Sequence, residues 1–313
     1  MYDIIIIGAG PAGLTAAMFA KRNGMNVLVL NSPEQLSNIM LSNLVENHPG
    51  EKGISGIELL EKIRTQVADT GVKIIDEKII SVKKKGHSFT VSTDSSSYEA
   101  RALVIATGLV SRRANIKNEE KFLGKGVSYC VLCDGPIFKN KDVAVVGGGD
   151  SAVAGAAILK DMGANTVYLI HRRDEFRAEH ANIEKMKHAD VKIITDSIIE
   201  EIEGDRFVTG MKMKNLKSGE EKHLGVQGIF IEIGYVPTAE FAKNLGIEMD
   251  DSGFIITNEK KETNIKGIFA AGDIVSSSAK ILVVAYADGA IAALSASDHV
   301  CNIKGSDYKK HIY

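Results

Sequence analysis

The stretch that decides the fold is YDIIIIGAGPAGLTAAMFAKRNGMNVLVLN, residues 2–31. Ile4 to Ile7 form a short, continuous β-branched run, which is typical of a strand buried on both faces of a parallel sheet. Gly8, Gly10 and Gly13 follow as G-x-G-x-x-G, which allows a tight turn, close approach of backbone to a pyrophosphate, and close helix–strand packing. An alanine-rich helix and a second strand come next, so the stretch predicts a βαβ unit that binds a dinucleotide.

The same pattern recurs in DVAVVGGGDSAVAGAAILKDMGANTVYLIHRR, residues 142–173. A strand at Val143 to Val146 runs into Gly147, Gly149 and Ala152, a G-x-G-x-x-A turn before another helix of small residues. The alternative, that both turns are only tightly packed strand–helix connections, requires two independent coincidences. The sequence therefore predicts two dinucleotide sites in one chain.

The residues after each second strand help to assign the two dinucleotides. The second unit ends in His171-Arg172-Arg173-Asp174-Glu175-Phe176-Arg177, about 20 residues beyond Gly149, where an acid would suit NAD and a basic cluster suits the 2′-phosphate of NADP. A solvated charged surface is the alternative reading of this cluster. The first unit ends in Asn31, with Glu34 three residues further on, so no acid marks that strand end.

Two later stretches belong with the first unit. Leu103 to Gly108 (LVIATG) predicts a buried strand that ends in a small-residue turn, and Gly267 to Asp273 (GIFAAGD) predicts another. The carboxylate of Asp273 can accept hydrogen bonds from polyol hydroxyls, or it can simply cap the turn. A helix is expected over Ala287 to Leu294, beginning near Asp288-Gly289, with its N-terminus facing a phosphate.

The stretch SYCVLCDG, residues 128–135, contains two of the three cysteines. A structural disulfide between Cys130 and Cys133 would close a very short loop and is disfavoured in a reducing compartment. A zinc site needs about four ligands, but the remaining cysteine is Cys301 and no close histidine pair accompanies it. The C-x-x-C spacing in an intracellular α/β chain favours a redox-active pair.

The composition excludes some classes of function. The 313 residues are 44% hydrophobic and 25% charged, with a net charge of −2, which gives no support for a nucleic-acid or membrane-surface partner. The apolar runs are shorter than a bilayer span. The opening MYDIIIIGAG contains an acid and no basic region, so we expect no secretory signal and a cytoplasmic location.

The order of motifs GAGPAG, VENHPG, IATG, GKGVSYCVLCDG, VAVVGGGDSA, LIHRRDEFRA and GIFAAGD resembles the low-molecular-weight thioredoxin reductases over nearly the whole chain. The flavin subunit of alkyl hydroperoxide reductase is similar but carries an N-terminal extension, whereas this sequence starts at the first strand. The resemblance implies an α/β fold with two Rossmann-like three-layer ββα domains, the second inserted into the first. Residues 1–113 and 245–313 would form a discontinuous FAD-binding domain, and residues 114–244 an NADPH-binding domain that carries the C-x-x-C pair.

The resemblance also implies a domain rotation, because the dithiol and the nicotinamide would need the same flavin ring in turn. Hinges are expected near Arg113 to Lys117 and near Tyr235 to Thr238, where the sequence has polar or proline-bearing connectors. A small antiparallel accessory sheet is expected over Ile74 to Val91, with a turn at Lys85-Gly86.

The family mechanism implies roles for named residues. A hydride would pass from NADPH to FAD, and two electrons would then reduce the Cys130–Cys133 disulfide. Cys133 would contact the flavin, Cys130 would attack a disulfide of thioredoxin or a similar small redox protein, and Asp134 would act as general acid/base. The family is commonly homodimeric through the flavin domain.

The cofactor-binding residues follow from matching the motifs, and no metal site is expected. The residues expected to bind FAD are Gly8, Ala9, Gly10, Pro11, Ala12, Gly13, Asn31, Asn47, Ala106, Thr107, Gly108, Gly272, Asp273, Lys280 and Ile281. The residues expected to bind NADPH are Gly147, Gly148, Gly149, Asp150, Ser151, Ala152, His171, Arg172, Arg173 and Arg177.

Two segments depart from the family pattern. Leu36 to Asn43 lacks the glycines of the usual GGQL-like segment, and Lys280-Ile281 replace an Arg-Gln pair. Three alternatives therefore stay open: a similar flavoprotein with another electron donor or acceptor, an enzyme like the ferredoxin–NADP reductases of this fold, which lack the dithiol, and a redox sensor that does not turn over.

Overall fold

The computed structural model describes residues 1–33, 37–41, 45, 48–51, 53–239, 241, 244–276 and 279–305, apart from the side chains of Leu41 and Cys133. The strands are β1 (Tyr2–Ile7), β2 (Val27–Asn31), β3 (Lys73–Asp76), β4 (Ile79–Lys85), β5 (Ser88–Thr93), β6 (Ser97–Ile105), β7 (Leu109–Ser111), β8 (Val127–Ser128), β9 (Val143–Val146), β10 (Val167–Ile170), β11 (Lys192–Ile194), β12 (Ser197–Gly204), β13 (Val208–Asn215), β14 (Glu221–Leu224), β15 (Gly228–Ile231), β16 (Tyr235–Pro237) and β17 (Ile268–Ala270). The helices are α1 (Pro11–Arg22), α2 (Gly56–Asp69), α3 (Val131–Asp134), α4 (Asp150–Asp161), α5 (His180–His188) and α6 (Leu282–Lys304). No helix within these ranges combines the length and the apolar composition that a bilayer span requires.

The chain divides into two compact units. The first comprises Met1–Met40, Leu44–Val110 and Val236–Tyr313, and the second comprises Leu41–Asn43 and Ser111–Tyr235. Apart from residues 41–43, the chain therefore passes from the first unit to the second after residue 110 and returns after residue 235. The sequence places these boundaries after residues 113 and 244. Strands β7 and β16 hydrogen-bond to each other at these crossings, so both connecting segments are extended.

The first unit is built on a sheet in the order β3-β2-β1-β6-β5-β4, with β17 also on β6. Strands β1, β2, β3, β6 and β17 are parallel, and β4 and β5 form an antiparallel meander with β6. Strand β6 is long enough to serve both parts, because Ala100 pairs with Phe89 of β5 while Leu103 pairs with Ile268 of β17.

The continuous hydrophobic run of β1 is explained by burial on both faces. Ile4 and Ile6 lie in a core cluster with the small residues of α1 and α6. Ile5 and Ile7 point the other way, into a cluster with Phe89 and other residues of the meander. Since successive side chains of a strand alternate between faces, all four isoleucines are completely buried.

Two predicted elements of this unit are wrong in part. The accessory sheet expected over Ile74 to Val91 begins only at β4, because Lys73–Asp76 is a parallel strand paired with β2. The helix expected from Ala287 begins at Leu282, so Asp288 and Gly289 lie inside α6 rather than at its N-terminus. A Cβ at Gly289 would lie 2.2 Å from the backbone oxygen of Ala12, so this glycine serves helix packing and not phosphate binding.

The second unit repeats the plan. Its parallel sheet has the order β11-β10-β9-β15-β8, and a separate antiparallel sheet has the order β12-β13-β14. One face of β9 packs against α4 and the other against the antiparallel sheet, with Val143 and Val145 in one cluster and Ala144 in the other. The strand order reverses between β10 and β15 on either side of β9, which is where open α/β sheets bind ligands.

Candidate functional site

The first glycine-rich turn joins β1 to α1 and meets two other turns of the same unit. It comprises Gly8, Ala9, Gly10, Pro11, Ala12 and Gly13. A Cβ at Gly8 would lie 2.3 Å from the backbone oxygen of Ala106, and a Cβ at Gly13 would lie 1.9 Å from the backbone oxygen of Gly8. Ala106, Thr107 and Gly108 follow β6, so the structure brings the first two predicted segments into contact.

The third segment, Gly272-Asp273, follows β17 and reaches the same turn. A Cβ at Gly272 would lie 2.7 Å from the Cβ of Ala12. Burial raises the pKa of Asp273, Lys280 opposes that rise, and Asp288 adds to it. A half-buried carboxyl beside a glycine-rich turn is suited to accept hydrogen bonds from a polyol.

Lys280 and Ile281 precede α6. The Nζ of Lys280 donates to the backbone oxygen of Asp273 at 2.9 Å and also to the backbone oxygen of Val275. It lies 4.3 Å from the ring centroid of Phe254, and burial lowers its pKa. Lys280 therefore holds the loop around Asp273, whereas the side chain of Ile281 is 48% exposed.

Asn31 at the end of β2 lies at the same edge of the sheet. Its Oδ1 accepts from the N–H of Ala9 at 3.4 Å, and its Nδ2 donates to Asp76 at 2.8 Å. Asp76 ends β3 and also pairs with Arg64 at 2.9 Å. Sequence reasoning missed this acid, because the pairing of β3 with β2 is needed to bring it beside Asn31.

His48 and Tyr286 form a second feature that sequence reasoning missed. Their rings meet edge to face with centroids 5.6 Å apart. The Nδ1 of His48 and the hydroxyl of Tyr286 are buried and have no hydrogen-bond partner in the described structure. Burial raises the pKa of Tyr286 to about 12. Two neighbouring polar atoms that are buried without a hydrogen-bond partner indicate a unit in which a bound polar ligand supplies the missing partners. Asn47, expected to bind FAD, lies outside the described residues.

The second glycine-rich turn joins β9 to α4 through Gly147, Gly148 and Gly149. A Cβ at Gly147 would lie 2.2 Å from the backbone oxygen of Glu232, and one at Gly148 would lie 2.2 Å from the ring of His171. Gly149 is different, because a Cβ there would meet no atom within 4 Å. The first two glycines are thus needed for packing, while Gly149 borders open space.

The first turn of α4 contains Asp150, Ser151 and Ala152. The carboxylate of Asp150 accepts from the N–H of Glu179 at 2.8 Å and from the side chain of Asn182 at 2.7 Å. These hydrogen bonds lower its pKa. Ala152 is buried, and Ser151 is exposed. Asp150 therefore fixes the segment that follows the arginine cluster.

The arginine cluster lines a cavity of about 400 Å³. Its lining residues are Arg172, Arg173, Asp174, Glu175, Phe176, Arg177, Asp196 and Lys217. Lys217 comes from the turn between β13 and β14 and bridges Asp174 and Asp196 at 2.9 and 3.0 Å. It was not predicted, because the antiparallel sheet has to fold before it approaches the arginines. The cavity is suited to a phosphate group, since its four basic side chains outnumber its three carboxylates and three of the four are arginines.

His171 lies at the inner end of this cluster. Its Nε2 lies 3.1 Å from the backbone oxygen of Glu175, and its ring stacks on Phe176 with centroids 5.5 Å apart. Burial lowers its pKa, and the three arginines lower it further. A neutral imidazole packed on Gly148 shapes the turn rather than adding charge.

The dithiol segment lies in the same unit, where α3 follows β8. Cys130 is disulfide-bonded, whereas Cys301 is a free, buried cysteine. The side chain of Cys133 lies outside the described residues. The hydroxyl of Ser128 accepts from the N–H of Cys130 at 3.0 Å and donates to Asp134 at 2.6 Å. Ser128 therefore links the acid at the end of the segment to the cysteine at its start.

Tyr129 ties this segment to the connector that enters the unit. Its hydroxyl donates to Glu119 and accepts from Arg113 at 2.9 Å. Burial raises the pKa of Tyr129 to about 12. Glu119 is 3% exposed and also accepts from the N–H of Ile116 at 3.0 Å. The expected hinge segment Arg113 to Lys117 is thus fastened to the residue before Cys130.

The two glycine-rich turns fit bound dinucleotides on structural grounds. In each unit the turn lies at the carboxyl edge of a parallel sheet, and its first glycine, Gly8 or Gly147, lies too close to neighbouring backbone for any larger residue. The first unit adds the half-buried carboxyl of Asp273 and two unpartnered buried polar atoms, and the second adds the arginine cavity.

Comparison with known proteins agrees with this geometry. The family model for pyridine nucleotide-disulphide oxidoreductases matches residues 2–289. The thioredoxin reductase of Treponema pallidum is 36% identical over 301 residues, which cover 96% of this chain and 97% of that protein. The thioredoxin reductase of Listeria monocytogenes is 40% identical over 308 residues, covering 98% and 96%. The solved thioredoxin reductase of Streptococcus pyogenes is 36% identical with a TM-score of 0.82, covering 96% and 99%.

The chain therefore belongs to the pyridine nucleotide-disulphide oxidoreductase family, in the branch of the low-molecular-weight thioredoxin reductases. It is a flavoprotein oxidoreductase whose cofactors are FAD and NADPH. The predicted family, the α/β fold with two Rossmann-like domains and the two cofactors are confirmed.

Proposed function

We propose that the enzyme transfers electrons from NADPH, through FAD and a Cys130–Cys133 disulfide, to the disulfide of thioredoxin or a similar small redox protein. The observation that carries the proposal is a disulfide-bonded Cys130 in the same unit as an arginine-lined cavity beside a glycine-rich turn. The names of the relatives support thioredoxin as the partner.

We assign FAD to the first unit and NADPH to the second. Gly8 to Gly13 would hold the FAD pyrophosphate, and Asp273 its ribityl hydroxyls. Arg172, Arg173 and Arg177 would hold the 2′-phosphate of NADPH, because guanidinium groups bind phosphate oxygens in pairs. When bound, FAD accepts a hydride from NADPH and returns two electrons to the disulfide.

The chain's own residues would then carry out thiol–disulfide exchange. The thiolate of Cys130 attacks one sulfur of the partner's disulfide, a mixed disulfide forms, and the second partner sulfur leaves as a thiolate. Cys133 attacks Cys130, which re-forms the internal disulfide and releases the reduced partner. Asp134 would give the leaving thiolate its proton and take the proton of Cys133, and Ser128 keeps that carboxylate in place.

The surface around Cys130 suits a protein partner. Leu132 is 66% exposed and Ile137 is 57% exposed, one inside the C-x-x-C pair and one shortly after it. Exposed apolar side chains next to a reactive group mark a surface for transient docking. A dithiol with this task operates in a reducing compartment, which supports a cytoplasmic location without a nucleic-acid or membrane partner.

The test is anaerobic mixing of the FAD-loaded protein with NADPH or NADH, followed by addition of oxidised thioredoxin. NADPH should bleach the flavin absorbance and thioredoxin should restore it, whereas NADH should react at least tenfold more slowly. The Cys133→Ser variant should still bleach with NADPH but reduce no thioredoxin, and Cys301→Ser serves as the matched control with both steps intact.

The outcomes separate the alternatives. Failure of NADPH to bleach the flavin would point to another electron donor. Bleaching without reduction of any disulfide would favour the redox sensor. Full thioredoxin reduction by Cys133→Ser would refute the assigned role of Cys133.

A further inference from the structure

Glu232 lies between the nucleotide turn and the dithiol helix. It directly follows β15, and its N–H donates to the backbone oxygen of Val146 at 2.8 Å. Its own backbone oxygen faces Gly147, where a Cβ would approach to 2.2 Å. Strand β15 pairs with β8, with Phe230 opposite Ser128, so Glu232 lies beside the start of the dithiol segment. Its carboxylate accepts a hydrogen bond from the N–H of Val131, the residue after Cys130. One residue thus touches both functional segments of the second unit.

The side chain of Glu232 is partly buried. Burial raises the pKa of Glu232 to about 7, and the N–H of Val131 opposes the rise because it stabilises the ionised form. The charged groups on the neighbouring elements are Asp134 at the end of α3, Asp150 at the start of α4 and His171 against Gly148. Among the described residues, none of these contributes to the shift.

We infer that Glu232 is a positioning residue of the dithiol: its carboxylate holds the N–H of Val131 and thereby sets how much of Cys130 is present as thiolate. The inference rests on the proposed function of Cys130 as the attacking sulfur. An ionised Glu232 occupies a donor at the start of α3 and places a negative charge beside Cys130, and both effects disfavour a second negative charge on the sulfur. A protonated Glu232 removes both effects.

Reduction of the disulfide therefore carries a proton to Glu232. Two-electron reduction, with NADPH as the source of the electrons, would break the sulfur–sulfur bond of Cys130 and leave negative charge on sulfur. The carboxylate of Glu232 takes up a proton from solvent in response, and it releases that proton when thiol–disulfide exchange re-forms the bond. The carboxyl of Glu232 and the thiol of Cys130 would carry one negative charge between them, so the titration of each group depends on the other.

The experiment measures the alkylation rate of Cys130 by iodoacetamide from pH 5.5 to 9. It uses the full-length protein carrying Cys133→Ser, with and without Glu232→Gln, and follows the modified peptide by mass spectrometry. Above pH 7.5 the Glu232→Gln protein should react about three- to tenfold faster, since a tenfold change in thiolate corresponds to one unit of thiol pKa. Near pH 5.5 the two rates should converge, because Glu232 is then protonated.

A rate ratio that stays constant with pH, or equal rates throughout, would overturn the inference, since a purely structural effect does not disappear on acidification. Glu220→Gln is the matched control: it removes a carboxylate on an exposed turn of the same unit and should change nothing. If Glu232→Gln does not fold, the Cys133→Ser protein alone tests the inference. Its alkylation rate plotted against pH should show two inflections, one for each of the coupled groups, and a single inflection would contradict the coupling. Alkylation needs no flavin, nucleotide or partner, so this result is independent of the proposed function's own test.

Discussion

At the scale of single residues, the glycines of the second turn have two different tasks. Gly147 is confined by the backbone of Glu232 and has a φ of +154°, so any larger residue would collide and be strained. Gly149 has an ordinary extended backbone with open space beside its Cα. Gly147 is therefore required for the packing of the folded chain, whereas Gly149 leaves space beside the turn in which a ligand can bind.

We expect Gly147→Ala and Gly149→Ala to fail in different ways. Gly147→Ala should lower the free energy of unfolding by roughly 2 kcal/mol or more, because backbone atoms have to move. Gly149→Ala should leave thermal unfolding unchanged but raise the Kd for NADPH about tenfold or more, since its methyl group occupies the space next to the pyrophosphate. Calorimetric unfolding and titration with NADPH measure the two quantities. Equal stability losses in both variants would contradict this division of roles.

How much of the site the sequence could predict depends on how local each signal is. The glycine patterns, the arginines after β10 and the C-x-x-C pair lie within short stretches, and periodicity with spacing was enough to find them. Glu232, Asp76 and Lys217 carry no such signal, because each acquires its neighbours only when distant strands pair. A glutamate after an apolar strand has no special meaning until the strand order places it between two functional turns.

At the scale of elements, β1 and α6 are joined at the edge of the first unit by the buried carboxylate of Asp3. It pairs with Lys304 at 2.7 Å and Arg101 at 3.0 Å, and accepts from the N–H of Asn26 at 3.0 Å. Burial alone would raise the pKa of Asp3, but these partners outweigh it and the pKa is lowered. The first strand and the last described helix are thus held together through one charge.

The sign of the pH effect follows from that lowered pKa. A carboxylate whose folded pKa lies below its unfolded value contributes stability at neutral pH and loses it as the pH falls through the folded pKa, below about 4. Asp3→Asn should cost about 1–3 kcal/mol of unfolding free energy at pH 7. The cost should shrink as the pH falls below the ordinary pKa of an aspartate and through the lowered folded pKa of Asp3, as measured by urea unfolding at each pH. Asp94→Asn, on an exposed turn, is the control, and a cost that is the same at every pH would contradict the assignment.

Elements also show why sequence periodicity misplaced the start of α6. Two valines, Val283 and Val284, lie in the first turn of the helix, and β-branched residues have weak helix propensity. Packing of α6 on α1 outweighs that preference, with Gly289 seated on the backbone of Ala12. Strand β3 was predicted as part of the accessory sheet for a related reason: four residues that follow a helix carry too little pattern to reveal a parallel partner.

At the scale of the whole molecule, one exposed face of α6 bears on assembly. Val283, Ile291 and Leu294 are 38%, 37% and 43% exposed, and their spacing puts them on one side of the helix. We propose that two copies of the chain form the homodimer that the resemblance implies, with this apolar stripe of the first unit as the contact.

Leu294→Asp should convert the dimer to a monomer, because a buried charge at the contact has no partner. Size-exclusion chromatography with light scattering should show the mass falling from twice to once that of the chain. Ile193→Asp makes the same chemical change on an exposed residue of the second unit and should leave the mass unchanged. A wild-type protein that elutes as a monomer would contradict the proposed dimer.

The ladder between β7 and β16 has a consequence for biosynthesis. Strand β17, which completes the pairing of β6, lies beyond the whole of the second unit, so the ribosome releases the inserted part before the outer part can close its sheet. The pairing of β7 with β16 brings the two ends of the insertion together. The later pairing of β17 with β6 therefore has to close only a small gap instead of a loop of more than a hundred residues, which reduces the entropic cost of that pairing. The nascent inner part should therefore resist proteolysis earlier in translation than the part that surrounds it.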